Sequence, residues 1–134
     1  MVTNYNCSFI KGGVFMKEIS KSELEIMQFL WKNGESTSID IVKNVGQKTD
    51  WKNNTIMTLV SRLVTKGFVE AIRNKGELII YKSKISEGDY KAQETNNFIE
   101  KIYDGSINDM LVAFAKSKKL TKKDLKDLMK IIDD

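Results

Sequence analysis

One stretch in the middle of the chain leaves little choice of fold. Ile56, Leu59, Val60 and Leu63 recur at helical spacing, Asn53 or Asn54 can cap the start, and Gly67 follows Lys66 where a left-handed residue closes a helix. Phe68 to Arg73 then reads as a strand, Asn74-Lys75-Gly76-Glu77 as a tight turn, and Leu78 to Lys82 as a second strand. Asn and Gly tolerate the positive φ that such a hairpin turn needs. Two helices come before. Ser20 and Glu23 have capping-box spacing, and Leu24, Met27, Leu30 and Trp31 repeat helically until Asn33-Gly34. Ser38 opens a shorter helix through Ile39, Ile41, Val42 and Val45 that is expected to end near Gly46. Three helices and a hairpin with a basic tip make a winged helix-turn-helix.

The remainder is helical as well. Ser86 with Asp89, Ser106 with Asp109 and Thr121 with Asp124 each offer a cap, and Asp104-Gly105 closes the first of these three helices. Leu120 is placed to staple against Leu125 across the last cap. Short amphipathic helices totalling about 45 residues cannot bury their apolar faces alone, because nucleation is costly and so small a core is marginal. The simplest partner surface is a second copy of the chain. Tyr90, Phe98, Ile102, Leu111, Phe114, Leu125, Leu128 and Ile132 are the expected dimerisation residues. The fold class is therefore mainly α (α+β): a winged helix-turn-helix over residues 16–84 and a three-helix dimerisation region over 85–134.

Composition removes most alternatives. Of 134 residues 41% are hydrophobic and 30% charged, which is globular, and no apolar run approaches the about 20 residues that span a bilayer. With no histidine there are no imidazole bases, no Ser–His or Cys–His pairs and no His-ligated metals. The single cysteine, Cys7, forms neither an internal disulfide nor a cysteine metal cluster and suits a reducing cytoplasm. No catalytic residue, metal, cofactor or small-molecule substrate is expected. Residues 1–84 hold 13 Lys and Arg against 8 Asp and Glu, whereas residues 85–134 hold 9 against 10. A basic front half and a near-neutral back half suggest a polyanion-binding module followed by one with another job.

Residues 1–15 have no helical periodicity. Lys11-Gly12-Gly13 can be encoded as a bacterial ribosome-binding sequence, with Val14-Phe15 as the spacer before a start at Met16. These residues are thus expected to be leader translated from a misassigned start, the other reading being a disordered arm.

The stretches Ile19-Ser20 to Trp31, Trp51 to Phe68, Tyr81, and Glu94 to Tyr103 resemble the penicillinase and methicillin-resistance repressors (the BlaI/MecI/CopY family), and the likeness covers the chain from about Lys17 onward. The resemblance implies a cytoplasmic homodimeric repressor with a winged helix on double-stranded DNA, binding an inverted-repeat operator. In antibiotic-responsive members it implies a membrane sensor protease pathway leading to cleavage between an Asn and a Phe in the first C-terminal helix; Asn97-Phe98 stands there. The copper-responsive branch carries a C-terminal Cys-x-Cys motif, absent here. Family members often have Ser-Pro-Lys or Ser-Pro-Arg after the Trp, where this chain has Lys52-Asn53-Asn54, so operator preference is expected to shift.

On the middle helix the face opposite the apolar one is Asn54, Thr55, Met57, Thr58, Ser61, Arg62 and Thr65, and between Trp51 and Val69 there are three basic residues and no acid. Short polar side chains on a helix read base edges in the major groove, so Asn54, Thr55 and Thr58 are the candidates for base contact; the bland reading is a cap for Asn54 and solvation for Thr55. Arg62 and Lys66 are candidates for phosphate or base, against a solvated face or, for Arg62, an ion pair with a nearby acid. Lys52 suits phosphate at the helix entrance. Arg73 and Lys75 on the wing would touch the backbone, or simply keep the hairpin edge soluble. Trp51 reads as core or helix docking. Phe98 also falls on the period of Tyr90 and Ile102, so dimer core is the plain reading beside cleavage. Two rival classes stand against the repressor: a winged helix used for protein–protein contact without DNA affinity, and a small carboxylate hydrolase, for which the acids sit mainly at helix starts and exposed positions.

Overall fold

The computed structural model describes residues 18–73, 76 and 78–133. The expected leader over residues 1–15, and Asn74, Lys75 and Glu77 of the expected turn, lie outside the described residues.

Helix α1, Lys21–Asn33, starts at the expected capping box: the Ser20 hydroxyl accepts from Glu23 N at 3.1 Å, and Ser20 N donates to Glu23 Oε1 at 2.9 Å. Gly34, at φ 79°, stops it. A two-residue strand β1, Ser36–Thr37, follows; it is too short to show any period in the sequence. Helix α2 is Ser38–Thr49, capped by the Thr37 hydroxyl on Asp40 N at 3.2 Å. It does not end near Gly46 as expected but runs three residues further. A lone glycine costs a helix only about 1 kcal/mol, whereas the real stop is Asp50, left-handed at φ 65° with its N–H on Gly46 O at 2.8 Å. The Thr49 hydroxyl donates to Val45 O at 2.7 Å and accepts from Trp51 N at 3.1 Å, which turns the chain into the next helix.

Helix α3 is Asn53–Lys66. Its N-cap is Lys52 and no side chain caps it, so neither Asn53 nor Asn54 takes the capping role. Gly67, at φ 91°, ends it as expected, with Phe68 N returning to Leu63 O at 3.0 Å. Strands β2, Val69–Ile72, and β3, Ile80–Ser83, are antiparallel and lie one to two residues inside or beyond the expected limits. The strand order is β1-β3-β2, with Ser36 opposite Tyr81 and Val69 opposite Ser83. The core joins Ile26, Met27 and Leu30 of α1, Ile41 and Val45 of α2, and Ile56, Leu59, Val60 and Leu63 of α3 to Phe68, Val69 and Tyr81. Burial of these side chains is the main stabilising term, at about 1.5–3 kcal/mol each.

Three helices follow: α4, Glu87–Tyr103; α5, Ile107–Lys116; and α6, Lys122–Asp133. All three expected caps are present, Asp89 N on Ser86 Oγ at 3.0 Å, Asp109 N on Ser106 Oγ at 3.1 Å and Asp124 N on Thr121 Oγ1 at 3.1 Å. The chain divides into two compact units between Tyr90 and Lys91, inside α4. Tyr90 therefore belongs with the winged helix: its ring lies 5.6 Å from that of Trp31 and meets Phe68 edge-on at 6.4 Å. An aromatic seat is available to it in the first unit because Trp31 is anchored by Nε1 donating to Ile85 O at 2.9 Å. No helix among the described residues is long and apolar enough to cross a membrane.

Candidate nucleic-acid interface

One face of α3 is sunk in the core and the other meets solvent. Ile56, Leu59, Val60 and Leu63 are buried, while Asn54, Thr55, Thr58, Ser61, Arg62 and Thr65 are exposed. Met57, expected on the polar face, is half-buried and packs against the core instead. A helix locked on one side in this way presents the other as a rigid surface. That surface holds no acid, and the exposed Arg62 and Lys52 have no carboxylate partner among the described residues.

The small polar groups differ in what they leave available. The Thr58 hydroxyl donates to Asn54 O at 2.8 Å, so its hydrogen is spent within the helix, and what remains for an outside partner is its methyl and the acceptor lone pairs of its oxygen. Asn54 and Thr55 have no side-chain partner among the described residues, and Asn54, relieved of capping, keeps both amide donors and its carbonyl. Thr58, Ser61, Arg62, Thr65 and Lys66 line a shallow, open depression along the helix. Ser61 and Thr65 were not singled out from the sequence, although their spacing from Thr58 and Arg62 already put them on this side.

Lys66 is placed differently from its expected role at phosphate. Its Nζ donates to Glu23 Oε1 at 2.6 Å and to Glu18 O at 2.9 Å, and its side chain is only 21% exposed. Glu23 is 1% exposed. Burial pushes its carboxyl up, but hydrogen bonds from Lys66 and from Ser20 N–H, with the Lys66 charge, outweigh that and hold it below the ordinary glutamate range. The pair ties the last turn of α3 to the first of α1. Glu25 and Lys48 make a more open pair at 3.0 Å between α1 and α2. Arg73 is exposed just past β2, and Trp51 is half-buried against the core at the entrance to α3.

The second unit has another character. Neither α5 nor α6 buries a single residue, and among the described residues Phe98, Ile102, Leu125, Leu128 and Ile132 are exposed, Ile132 by 77%. Leu111 and Phe114 are half-buried. Phe98 meets Tyr103 edge-on at 5.8 Å, and the exposed Asn97 precedes it in the body of α4. Among the described residues no cluster of acids or cysteine could hold a metal ion.

Comparison with known proteins agrees with this geometry. The family model "Penicillinase repressor" matches residues 19–134. The chain is 30% identical over 116 residues to the methicillin resistance regulatory protein MecI of Staphylococcus aureus (strain N315), covering 87% of this chain and 94% of that one. It is 27% identical to the penicillinase repressor of Bacillus licheniformis, covering 87% and 91%. The solution structure of Bacillus licheniformis BlaI, a monomeric form in complex with the blaP half-operator, superposes with a TM-score of 0.50 at 31% identity, over 56% of this chain and 90% of that one. A winged helix with one acid-free helix face, followed by helices that match the same family model to the end, leaves one conclusion: the chain belongs to the penicillinase repressor family of transcriptional repressors.

Proposed function

We propose that this protein is a cytoplasmic homodimeric repressor that binds an inverted-repeat operator, each copy laying α3 in one major groove. The observation that carries the reading is the acid-free exposed face of α3, backed by a face fully engaged in the core. Asn54, Thr55 and Thr58 would contact base edges, Asn54 through its free amide and Thr58 through its methyl on a thymine. Lys52, Arg62, Arg73 and Lys75 would contact phosphate and set the salt dependence. Lys66 would act one step back, holding α3 against α1. Residues 16–84 form the DNA-binding part and 85–134 the dimerisation part in this scheme.

The exposed apolar residues of α5 and α6, with Phe98 and Ile102, support pairing of two copies, since a patch of this kind on a lone chain would remain wetted. Two linked recognition helices raise affinity through effective concentration, so any event that separates the copies releases the operator. Cleavage at Asn97-Phe98 by a membrane sensor protease pathway would be such an event. The bond lies in the body of α4, so a protease would need that turn unwound first.

The test is fluorescence anisotropy on a duplex carrying the promoter region upstream of the protein's own gene. Arg62→Ala is expected to weaken binding by about 1–3 kcal/mol. Binding equal to wild type at moderate salt removes Arg62, and the groove assignment with it.

A further inference from the structure

The near-neutral charge of the second half conceals a strong segregation. Residues 85–115 carry two lysines against six acids, whereas residues 116–130 carry seven lysines against two, Asp124 and Asp127. Both of those aspartates are occupied. Asp124 Oδ2 accepts from Thr121 N at 2.9 Å, and Asp127 pairs with Lys123 at 2.9 Å. Lys123 is thus paired and Lys126 and Lys130 lie further along α6, while Lys116, Lys118, Lys119 and Lys122 gather at the α5–α6 connection, exposed and with no carboxylate partner among the described residues.

The four are not on a loose tail. Lys116 ends α5 and Lys122 begins α6, and the connection folds back on α5 through Lys118 N to Ala115 O at 3.1 Å and Lys119 N to Phe114 O at 2.8 Å. The corner works against its own stability. Lys118 is left-handed at φ 63°, a conformation that suits Gly or Asn, and Lys122 and Lys123 stand in the first turn of α6, where the helix dipole disfavours cations. Charges crowded at such places, with no internal anion to offset them, suit an external one.

We propose that the α5–α6 corner is a second polyanion-binding surface, which adds sequence-independent contacts to the phosphate backbone of duplex DNA. It rests on the repressor reading above, because a chain held on DNA by α3 meets phosphate at high local concentration. An anionic membrane is the competing occupant, since α6 also exposes Leu125, Leu128 and Met129. The DNA assignment is favoured because pairing of two copies occupies those apolar residues and leaves the lysines alone outside.

The experiment uses the full chain with all four positions changed (K116Q/K118Q/K119Q/K122Q), a 40-base-pair duplex of arbitrary sequence, and a salt titration. Each lost phosphate contact lowers the slope of log affinity against log salt by about 0.9. The expected result is a slope lower by about two to four and affinity reduced about tenfold or more at 0.1 M salt, with unchanged circular dichroism. Lys118→Asn alone should lower the slope by about one while raising thermal stability, a combination that loss of folding does not produce. An unchanged slope, alongside weakened operator binding by Arg62→Ala, overturns the corner and leaves α3 standing. Absence of duplex binding by the wild type overturns both. Wild-type binding to phosphatidylglycerol vesicles that the quadruple variant loses, with the DNA slope unchanged, overturns it in favour of the membrane.

Discussion

Lys66→Met separates the two roles open to that lysine. The variant keeps the aliphatic stem and removes the ammonium, so the Glu23 carboxylate, its side chain 2% exposed, keeps only Ser20 N at 2.9 Å. Stranding one partner of a buried ion pair typically costs about 3–5 kcal/mol. Here Lys66 is 21% exposed and one N–H bond to the carboxylate survives, so we expect about 2–4 kcal/mol at pH 7. Removing both charges with Glu23→Gln/Lys66→Met should recover most of the loss, because the amide oxygen can still accept from Ser20 N and no charge remains buried. The pH dependence has opposite signs in the two proteins. In the wild type the depressed Glu23 pKa means that its stabilisation is complete at neutral pH and is lost as pH falls through the ordinary glutamate range and below. In Lys66→Met burial acts unopposed by the ammonium and raises that pKa, so the variant recovers stability relative to wild type on acidification. Urea unfolding of the three proteins, followed by circular dichroism at pH 7 and pH 5, reads these differences. A loss under about 1 kcal/mol at pH 7, or one that grows at pH 5, refutes the reasoning. In parallel, the salt slope of duplex binding should be unchanged by Lys66→Met; a drop of about 0.9 would return Lys66 to the phosphate backbone.

Gly46→Ala is expected to stabilise the fold by about 0.5–1 kcal/mol, since Gly46 lies inside α2 and an added Cβ would meet Trp51 O at 3.5 Å and Ile56 Cδ1 at 3.6 Å, ordinary contacts; a destabilised variant in thermal melts contradicts this. Thr58→Val keeps the methyl and discards a hydroxyl already bonded within the helix, so operator affinity should change less than threefold, whereas Thr58→Ala should lose about 1 kcal/mol; equal losses in a binding titration would deny the methyl any part. Leu125→Asp with Leu128→Asp puts two carboxylates on the exposed apolar side of α6 and should yield a monomer by analytical ultracentrifugation without unfolding the winged helix; a persistent dimer means that α6 is not at the interface.

The elements were legible where the information is local. The capping boxes at Ser20 and Thr121, the apolar repeat of α3 and the left-handed Gly67 each lie within one or two turns of chain, and each stands where the residues placed it. The exposed candidates Asn54, Thr55, Thr58 and Arg62 were also legible, because burying Ile56, Leu59, Val60 and Leu63 leaves them only one side of a helix to occupy. Gly46 misled, because a glycine can stop a helix or merely pass through one, and Asp50 and Thr49 decided between the two.

What the chain order determined by itself, then, was which of the longer segments are helix or strand and, Met57 apart, which side of α3 turns inward, since side-chain periodicity carries that information and a two-residue strand such as β1 has none. Tertiary structure alone decided partnership. Glu23 lies 43 residues from the Lys66 it binds, and Trp31 lies 54 from the carbonyl of Ile85 that anchors it. Tyr90 joined the winged helix because a seat beside Trp31 and Phe68 exists only once the sheet and α1 have met. Periodicity tells a side chain to be buried but does not name its neighbour; that depends on contacts between residues far apart along the chain, which form only when the whole core closes.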